Sequence, residues 1–484
     1  MSGLSGYDSE VTGFDCVSQD TRPVAASSSQ TTEFSLQGGS SQTNTSKDIG
    51  CMTYPGDFHP ELKDPPNLND FLKRVVPAMM EQLDQNTEFL NSSDSDEEDV
   101  VTAKLLQEIQ VKDASGSGDH GTAVLGVTWS CGGNSLAFSI GAMQHESWCE
   151  NSGLIKIFSY KRREEKFVHS FDVTEKDCVT VLKYHPAVPA LMAYGTASGE
   201  VVLCNLKNGS MDDVPLTSPP GCHGSRRVSA LQWVEPSLAN TFLMMHITNK
   251  GKRRGAADQV LLSAGSDGTV NAWQLNANLQ VFENIICYTI NGTQNLAPDI
   301  TCFDFIKSYP FQPAEEKVSD VFVVGTKTGK LFLCKMKGNQ GQGMVDPVYD
   351  VLEGHGTCVL DVAFSDQRPC VFVSISMDSE LRVYDVNQNS PIKIICLECP
   401  VSSMSWLSPP AVVVGVASGE QCLQVYNTSS GKQLPMAGFA GGGVTCLGAD
   451  KLGSCRIAAG DSSGRVRVWE VPMRRVKCSD DVDF

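Results

Sequence analysis

Read for the alternation of apolar and polar positions, the chain changes character near residue 105. Beyond it one pattern recurs: a β-branched run ending in an aromatic or Leu, a gap, a second apolar run, a Gly-containing turn, and a strand closing on an aromatic or apolar residue. Apolar runs of this length bounded by turn residues predict buried strands, and self-similarity at a fixed period predicts a repeat architecture. The copies begin at Val124 (VLGVTW), Val179 (VTVLKYHP), Val228 (VSALQWV), Ile300 (ITCFDF), Val359 (VLDVAFS), Val401 (VSSMSWL) and Val444 (VTCLGAD). Their second halves include LMAYGTASGEVVLCNL to Leu206, VLLSAGSDGTVNAWQL to Leu275, VFVVGTKTGKLFLCKM to Met336, VFVSISMDSELRVYDV to Val386 and RIAAGDSSGRVRVWEV to Val471; the first and sixth copies are looser. Each pairs two strands across a tight turn, where Gly or Asp accepts the positive φ that hairpin turns demand.

Spacings of 42 to 72 residues between copies fit four-stranded units with variable loops, the largest insertions falling in copies three and four. The expected fold is all-β, a seven-bladed β-propeller over 105–475 followed by a tail at 476–484. Such a ring must close, and Leu105–Val111 has the strand character to supply the outer strand of the seventh unit, leaving no exposed edge.

The pattern before residue 105 differs. Residues 1–66 are rich in Ser, Thr, Gln and Gly, a composition that buries too little apolar area to offset chain entropy, and a disordered arm is expected. Over 67–91, Leu68, Phe71, Leu72, Val75, Val76, Met79, Met80 and Leu83 recur at helical spacing after a cap at Asn67 or Asn69, which predicts a short amphipathic helix interrupted at Pro77. The acidic run in 92–104 reads as a solvated linker, and Ser92, Ser93 and Ser95 within it precede acidic residues, as an acid-directed kinase requires.

Charge sharpens this division. Residues 1–121 hold 21 acidic against 7 basic side chains, most of the formal net charge of -18, while the repeat region is nearly neutral. An acidic arm without a basic stripe is repelled by phosphate and anionic lipid, so protein partners are expected and no nucleic acid. The longest apolar stretches, such as Ala411–Ala417, fall far short of the ~20 residues a membrane span needs, so no membrane insertion is expected. Many of the 18 cysteines lie singly in apolar runs (Cys204, Cys302, Cys334, Cys446), and Met1–Glu10 lacks the basic and apolar stretches of a secretory signal; reduced thiols in a cytosolic protein are expected.

Several motifs have a chemical spelling. Gly460–Gly464 (GDSSG) matches a nucleophile elbow, and Gly325–Lys330 (GTKTGK) is one residue short of a phosphate loop. Both fall where other copies carry a strand-to-strand turn, so neither is expected to do chemistry. Cys396-Leu-Glu-Cys399 lacks the second ligand pair of a structural zinc site, and Lys250–Arg254 (KGKRR) reads as a solvated insertion. No catalytic, cofactor or metal site is expected.

The repeat resembles the WD-repeat family, whose dipeptide stands here as Trp273-Gln274, Tyr384-Asp385 and Trp469-Glu470, with Gly354-His355 opening the fifth copy. The resemblance implies a structural hydrogen-bonded set of His355, Asp378 and Tyr384. The order of Gln-Thr-bearing arm, short apolar helix (NDFLKRVVPAMMEQLDQN) and degenerate WD copies resembles the dynein intermediate chain family. The first blade (WSCGGNSLAFSIGAMQHESWCENSGLIKIF) and the lack of a long leading coiled coil resemble the smaller intermediate chains of the cytoplasmic dynein 2 class.

That resemblance implies a non-catalytic scaffold in retrograde intraflagellar transport and cilium assembly, in the cytoplasm, cytoskeleton and cilium or flagellum including its base. Its partners would be the dynein 2 heavy chain, a second intermediate chain, and hub, roadblock and Tctex-type light chains. Lys47, Asp48, Gly50, Met52 and Thr53 resemble a hub light-chain motif, with Met52 where Gln is usual; Gln30-Thr31 and Gln42-Thr43 are further candidates. Phe71, Leu72, Val75, Val76, Met79 and Leu83 would face a roadblock-type groove. An extended arm can add a strand to a light-chain sheet, and paired weak sites gain ~10²–10⁴ in avidity. The alternatives are an axonemal or cytoplasmic dynein 1 intermediate chain, or a propeller adaptor reading peptides for another complex.

Overall fold

A computed structural model describes residues 76, 101–111, 123–143, 149, 151–206, 215–236, 238–239, 259–276, 281–292, 297–307, 320–340, 345–408, 410–450 and 455–472. The chain divides into two units, Met1–Ser95 and Asp96–Phe484. In the first, Val76 alone is described, helical and exposed. The other residues expected in the amphipathic helix and the light-chain motifs lie outside the described residues.

The second unit is built of antiparallel sheets made in chain order. The first holds Ala123–Trp129, Ser135–Gly141, Gly153–Lys161 and Lys166–Glu175. The second holds Val179–Tyr184, Leu191–Thr196, Val201–Asn205 and a two-residue edge, Leu216–Thr217. The third runs Val228–Trp233, Gln259–Gly265, Thr269–Leu275 and Phe282–Thr289, and the fourth Ile300–Phe305, Val321–Thr326, Leu331–Gln340 and Val345–Leu352. A single bridge, Tyr288 with Val345, joins these two along their outer edges. The fifth has Val359–Phe364, Val371–Ser376, Glu380–Asp385 and Lys393–Cys396. The sixth is the irregular one: Val401–Ser408, Ala411–Val416 and Leu423–Asn427 form three strands, with isolated bridges from Tyr426 to Gln433 and Gln421 to Ala440 where a fourth would run. The looseness expected of the sixth copy is therefore seen, whereas the first copy is a regular four-stranded sheet.

The seventh sheet needs the front of the chain. Val444–Ala449, Arg456–Asp461 and Arg465–Glu470 are completed by Lys104–Gln110, which pairs antiparallel with Arg465–Glu470. Strand order begins earlier than the linker reading allowed: Val101–Thr102 pairs parallel with Met436–Ala437, the two making a short sheet of their own that packs beside the sixth. The Ala103 N–H then donates to Ala437 O at 2.8 Å. The apolar Val101 and Ala103 pack there with Met436 and Phe439, which outweighs the acidic character of the preceding run.

The innermost strands of the seven sheets touch one another in a closed cycle, the seventh returning to the first. All seven carry the same irregularity, a register shift after the first paired residue, or after the second in the first sheet: Val124/Gly126, Val179/Val181, Val228/Ala230, Ile300/Cys302, Val359/Asp361, Val401/Ser403 and Val444/Cys446. An extra residue bends and twists a strand locally, and repeating it seven times turns every sheet in the same way. These are sheets with the build of propeller blades, and the core lies between neighbours, as where Phe322, Val324 and Cys334 of the fourth sheet pack with Val260, Leu262 and Val270 of the third.

Candidate functional site

The third sheet contains a four-residue hydrogen-bonded set that sequence reading did not find. His223, buried, approaches Asp267 through Nδ1 (3.3 Å) and Ser263 Oγ through Nε2 (2.8 Å). Trp273 Nε1–H donates to the same Ser263 oxygen at 2.8 Å. Burial pushes the Asp267 carboxyl up, but His223 and the Thr269 hydroxyl and N–H outweigh it and hold it below the usual carboxylate range. The sequence signal was present: Asp267 and Trp273 fit the repeat, and the histidine is preceded by Cys222 instead of the sought Gly.

In the fifth sheet the expected set is only partly assembled. His355 Nε2 meets Ser374 Oγ at 2.6 Å, and Nδ1 stands 3.4 Å from Asp378 Oδ2. Asp378 accepts the Gly356 and Glu380 N–H groups at 3.1 and 3.2 Å, tying the turn down. Tyr384 does not join them. Its hydroxyl donates to Glu353 O at 2.7 Å, because a phenol extends further than an indole N–H and reaches past Ser374 to the preceding chain. His355, Asp378 and Glu380 present ligand-type atoms within 4.8 Å of one another, yet Glu380 is already gripped by Arg382 at 2.7 and 2.8 Å. That guanidinium supplies positive charge where a cation would sit.

Neighbouring sheets are stapled by side chains of the innermost strands. Thr180, Thr301 and Thr445 hydroxyls donate to Val228, Val359 and Val124 carbonyls at 2.6, 2.6 and 2.5 Å. Trp129, Trp233 and Trp406 donate back to Gly448, Lys183 and Ala363 carbonyls at 3.0, 3.3 and 3.1 Å. Two of these, from Thr445 and Trp129, cross the junction between last sheet and first. There too Gln107, on the closing strand, donates to Phe167 O (2.9 Å) and accepts from Phe167 N (2.7 Å). Residues 101–110 therefore engage the sixth, seventh and first sheets in turn.

The chemical look-alikes resolve into this framework. Gly460 lies next to the end of a strand, where an added Cβ would fall 2.4 Å from Val124 Cγ1, and Asp461 Oδ1 accepts the Ser463 and Arg465 N–H groups at 2.9 Å. The segment thus turns strand to strand, without the strand-to-helix geometry a nucleophile elbow needs. Gly325 likewise leaves room for Val359, and Thr326 Oγ1 accepts Lys330 N–H in the same kind of turn. Cys396 is exposed at the end of an outer strand, with Cys399 half-buried beyond it. Lys250–Arg254 lies outside the described residues.

Against known proteins, no protein-family model matches the chain. Curated relatives do. Cytoplasmic dynein 2 intermediate chain 2 of Mus musculus is 24% identical over 430 residues, covering 84% of this chain and 75% of that one. Its Homo sapiens counterpart is 22% identical over 449 residues, covering 85% and 77%. The ciliary dynein intermediate chain 2 of Heliocidaris crassispina is 23% identical over 326 residues, covering 65% of this chain and 41% of that one. The chain is thus similar to dynein intermediate chains over most of its length. Dynein intermediate chains are non-catalytic scaffolds of the motor complex.

Among the described residues of the Asp96–Phe484 unit, eight large apolar side chains are exposed, and five belong to the fourth and fifth sheets: Tyr349, Val351, Met377, Ile392 and Ile394. Four of these lie on or beside outer strands, where natural sheets usually place charge. Among the described residues no helix is long and apolar enough to cross a membrane.

Proposed function

We propose that the chain is the intermediate chain of a cytoplasmic dynein 2-type motor, with its sheets closed as a seven-bladed WD-repeat β-propeller that docks on the heavy-chain tail. The observation that carries the reading is extent. The similarity to dynein 2 intermediate chains runs over most of both partners, while that to the ciliary chain covers 41% of the latter. The closed cycle of inner strands and the completion of the seventh sheet by residues 104–110 support the propeller. His355, Asp378 and the His223 set are then fold stabilisers.

On this reading the arm collects light chains through Lys47–Thr53, Gln30-Thr31, Gln42-Thr43 and the Phe71–Leu83 helix. The protein works in the cytoplasm and cilium, beside a second intermediate chain, in retrograde intraflagellar transport. The test is affinity recovery from ciliated cells of the full chain and of a version lacking residues 1–100, a cut that leaves Val101–Gln110 to close the sheets. The full chain should recover the dynein 2 heavy chain with hub and roadblock light chains, and the shortened one the heavy chain alone. Recovery of an axonemal or dynein 1 heavy chain instead would transfer the protein to another motor, and recovery of no motor subunit would defeat the reading.

A further inference from the structure

The seam between the first and second sheets holds two thiols, one half-buried and one buried. Cys149, half-buried, lies in the 142–152 connection of the first sheet, and Cys178, fully buried, immediately precedes the first strand of the second. Both sulfurs approach one acceptor, the Asn151 carbonyl, with Cys149 Sγ at 3.2 Å and Cys178 Sγ at 3.7 Å. The Cys178 N–H also points at Cys149 Sγ, 3.3 Å away. The two chain segments are held close around them: a Cβ on Gly153 would fall 2.2 Å from Asp177 O, and one on Gly141 would fall 2.7 Å from Cys178 Sγ. A side chain at either place has no room, so the two segments lie in close contact beside the thiols.

We propose that Cys149 and Cys178 form a reversible disulfide that ties Cys149 to the start of the second sheet, across the seam between the first two sheets. The co-reactant is a small-molecule disulfide. The accessible Cys149 gives up its proton to water and attacks one sulfur of that disulfide, releasing one small thiolate and leaving a mixed disulfide. Cys178, deprotonated in turn, attacks the Cys149 sulfur; the new S–S bond forms as the second small thiolate leaves. Two protons and two electrons pass from the protein to the small molecule, which departs as two thiols. Burial and the neighbouring Cys149 push the Cys178 thiol up to about 11, so Cys149 reacts first and Cys178 resolves. In a reducing compartment the bond forms only when the thiol pool is oxidised.

The experiment incubates the full chain with oxidised and reduced glutathione at graded ratios, quenches with acid, alkylates free thiols and maps peptides by mass spectrometry. The expected result is one linked pair of peptides containing Cys149 and Cys178, appearing at a single ratio for both and disappearing with reduced glutathione. In Cys149→Ser, whose half-exposed position tolerates the change, Cys178 should stay alkylatable only on unfolding and gain no glutathione. A wild-type chain carrying glutathione on Cys149 with Cys178 still a thiol, a link from either to another cysteine, or glutathione on Cys178 in Cys149→Ser would each overturn the proposal.

Discussion

Gly460 and Gly464 look alike in the sequence and do opposite things. Gly464 has φ +75° and serves its turn through backbone freedom; Gly460 serves the packing, leaving space for Val124 of the next sheet. Gly460→Val should therefore cost about 1–3 kcal/mol through overpacking, read as a lowered denaturation midpoint with an unchanged slope. The fifth sheet shows the converse. Ser379 stands at φ +61° where other copies place glycine, and a Cβ in that region is strained. Ser379→Gly should stabilise by about 0.5–1 kcal/mol, seen as a raised Tm. His185 supplies a pH signal. Its Nδ1 accepts the Ala187 and Val188 N–H groups at 3.0 and 2.9 Å, its ring packs on Trp233, and burial holds its pKa down to about 4 from 6.5. The unfolded chain takes up a proton between pH 6.5 and 4 that the fold refuses, so this contribution is full above 6.5 and declines as pH falls toward 4. His185→Asn, whose side-chain oxygen can accept the same N–H groups, should flatten the stability profile across that window in denaturant titrations at stepped pH.

Elements depend on neighbours more than on their own sequence. Val101–Thr102 has little strand signal in its acidic context, yet it pairs because Met436–Ala437 offers an edge. Gln107 exchanges two hydrogen bonds with Phe167 and so fastens the closing strand to the first sheet. Gln107→Ala removes both and leaves the Phe167 N–H short of a partner, at a cost of about 1–3 kcal/mol. The closing strand as a whole makes a sharper test. Removing residues 1–100 should leave the melting temperature unchanged, whereas removing 1–111 should lower it and raise light scattering, since Arg465–Glu470 then presents an unpaired edge.

At the scale of the whole molecule, each sheet shares its core with the next and the cycle closes only when the seventh meets the first. Loss of one sheet cannot be absorbed as in an open solenoid, where repeats add roughly independently. The proposed heavy-chain docking calls for a face on the sheets, and four of the eight exposed large apolar side chains described in the Asp96–Phe484 unit lie on or beside the outer strands of the fourth and fifth sheets. Ile392→Glu with Ile394→Lys should leave the thermal transition in place, because both side chains are already about half exposed, while reducing heavy-chain recovery at least tenfold. Undiminished recovery would remove these strands from the interface.

The starts of the strands were legible in the sequence because each is an apolar run bounded by turn residues, and burial of such a run is dictated locally. Six of the seven innermost strands begin at the residue the pattern names, and the seventh begins one earlier, at Ala123. The family, too, could be read from residue order alone. The tertiary structure decided what depends on residues far apart in the chain: that the fuller hydrogen-bonded set sits around His223 and not His355, that Tyr384 turns to Glu353, that residues 101–110 bind three sheets, and that Cys149 meets Cys178. Period and turn chemistry are short-range properties a sequence displays openly, whereas a hydrogen bond between residues 60 or 319 apart exists only once the chain has closed on itself.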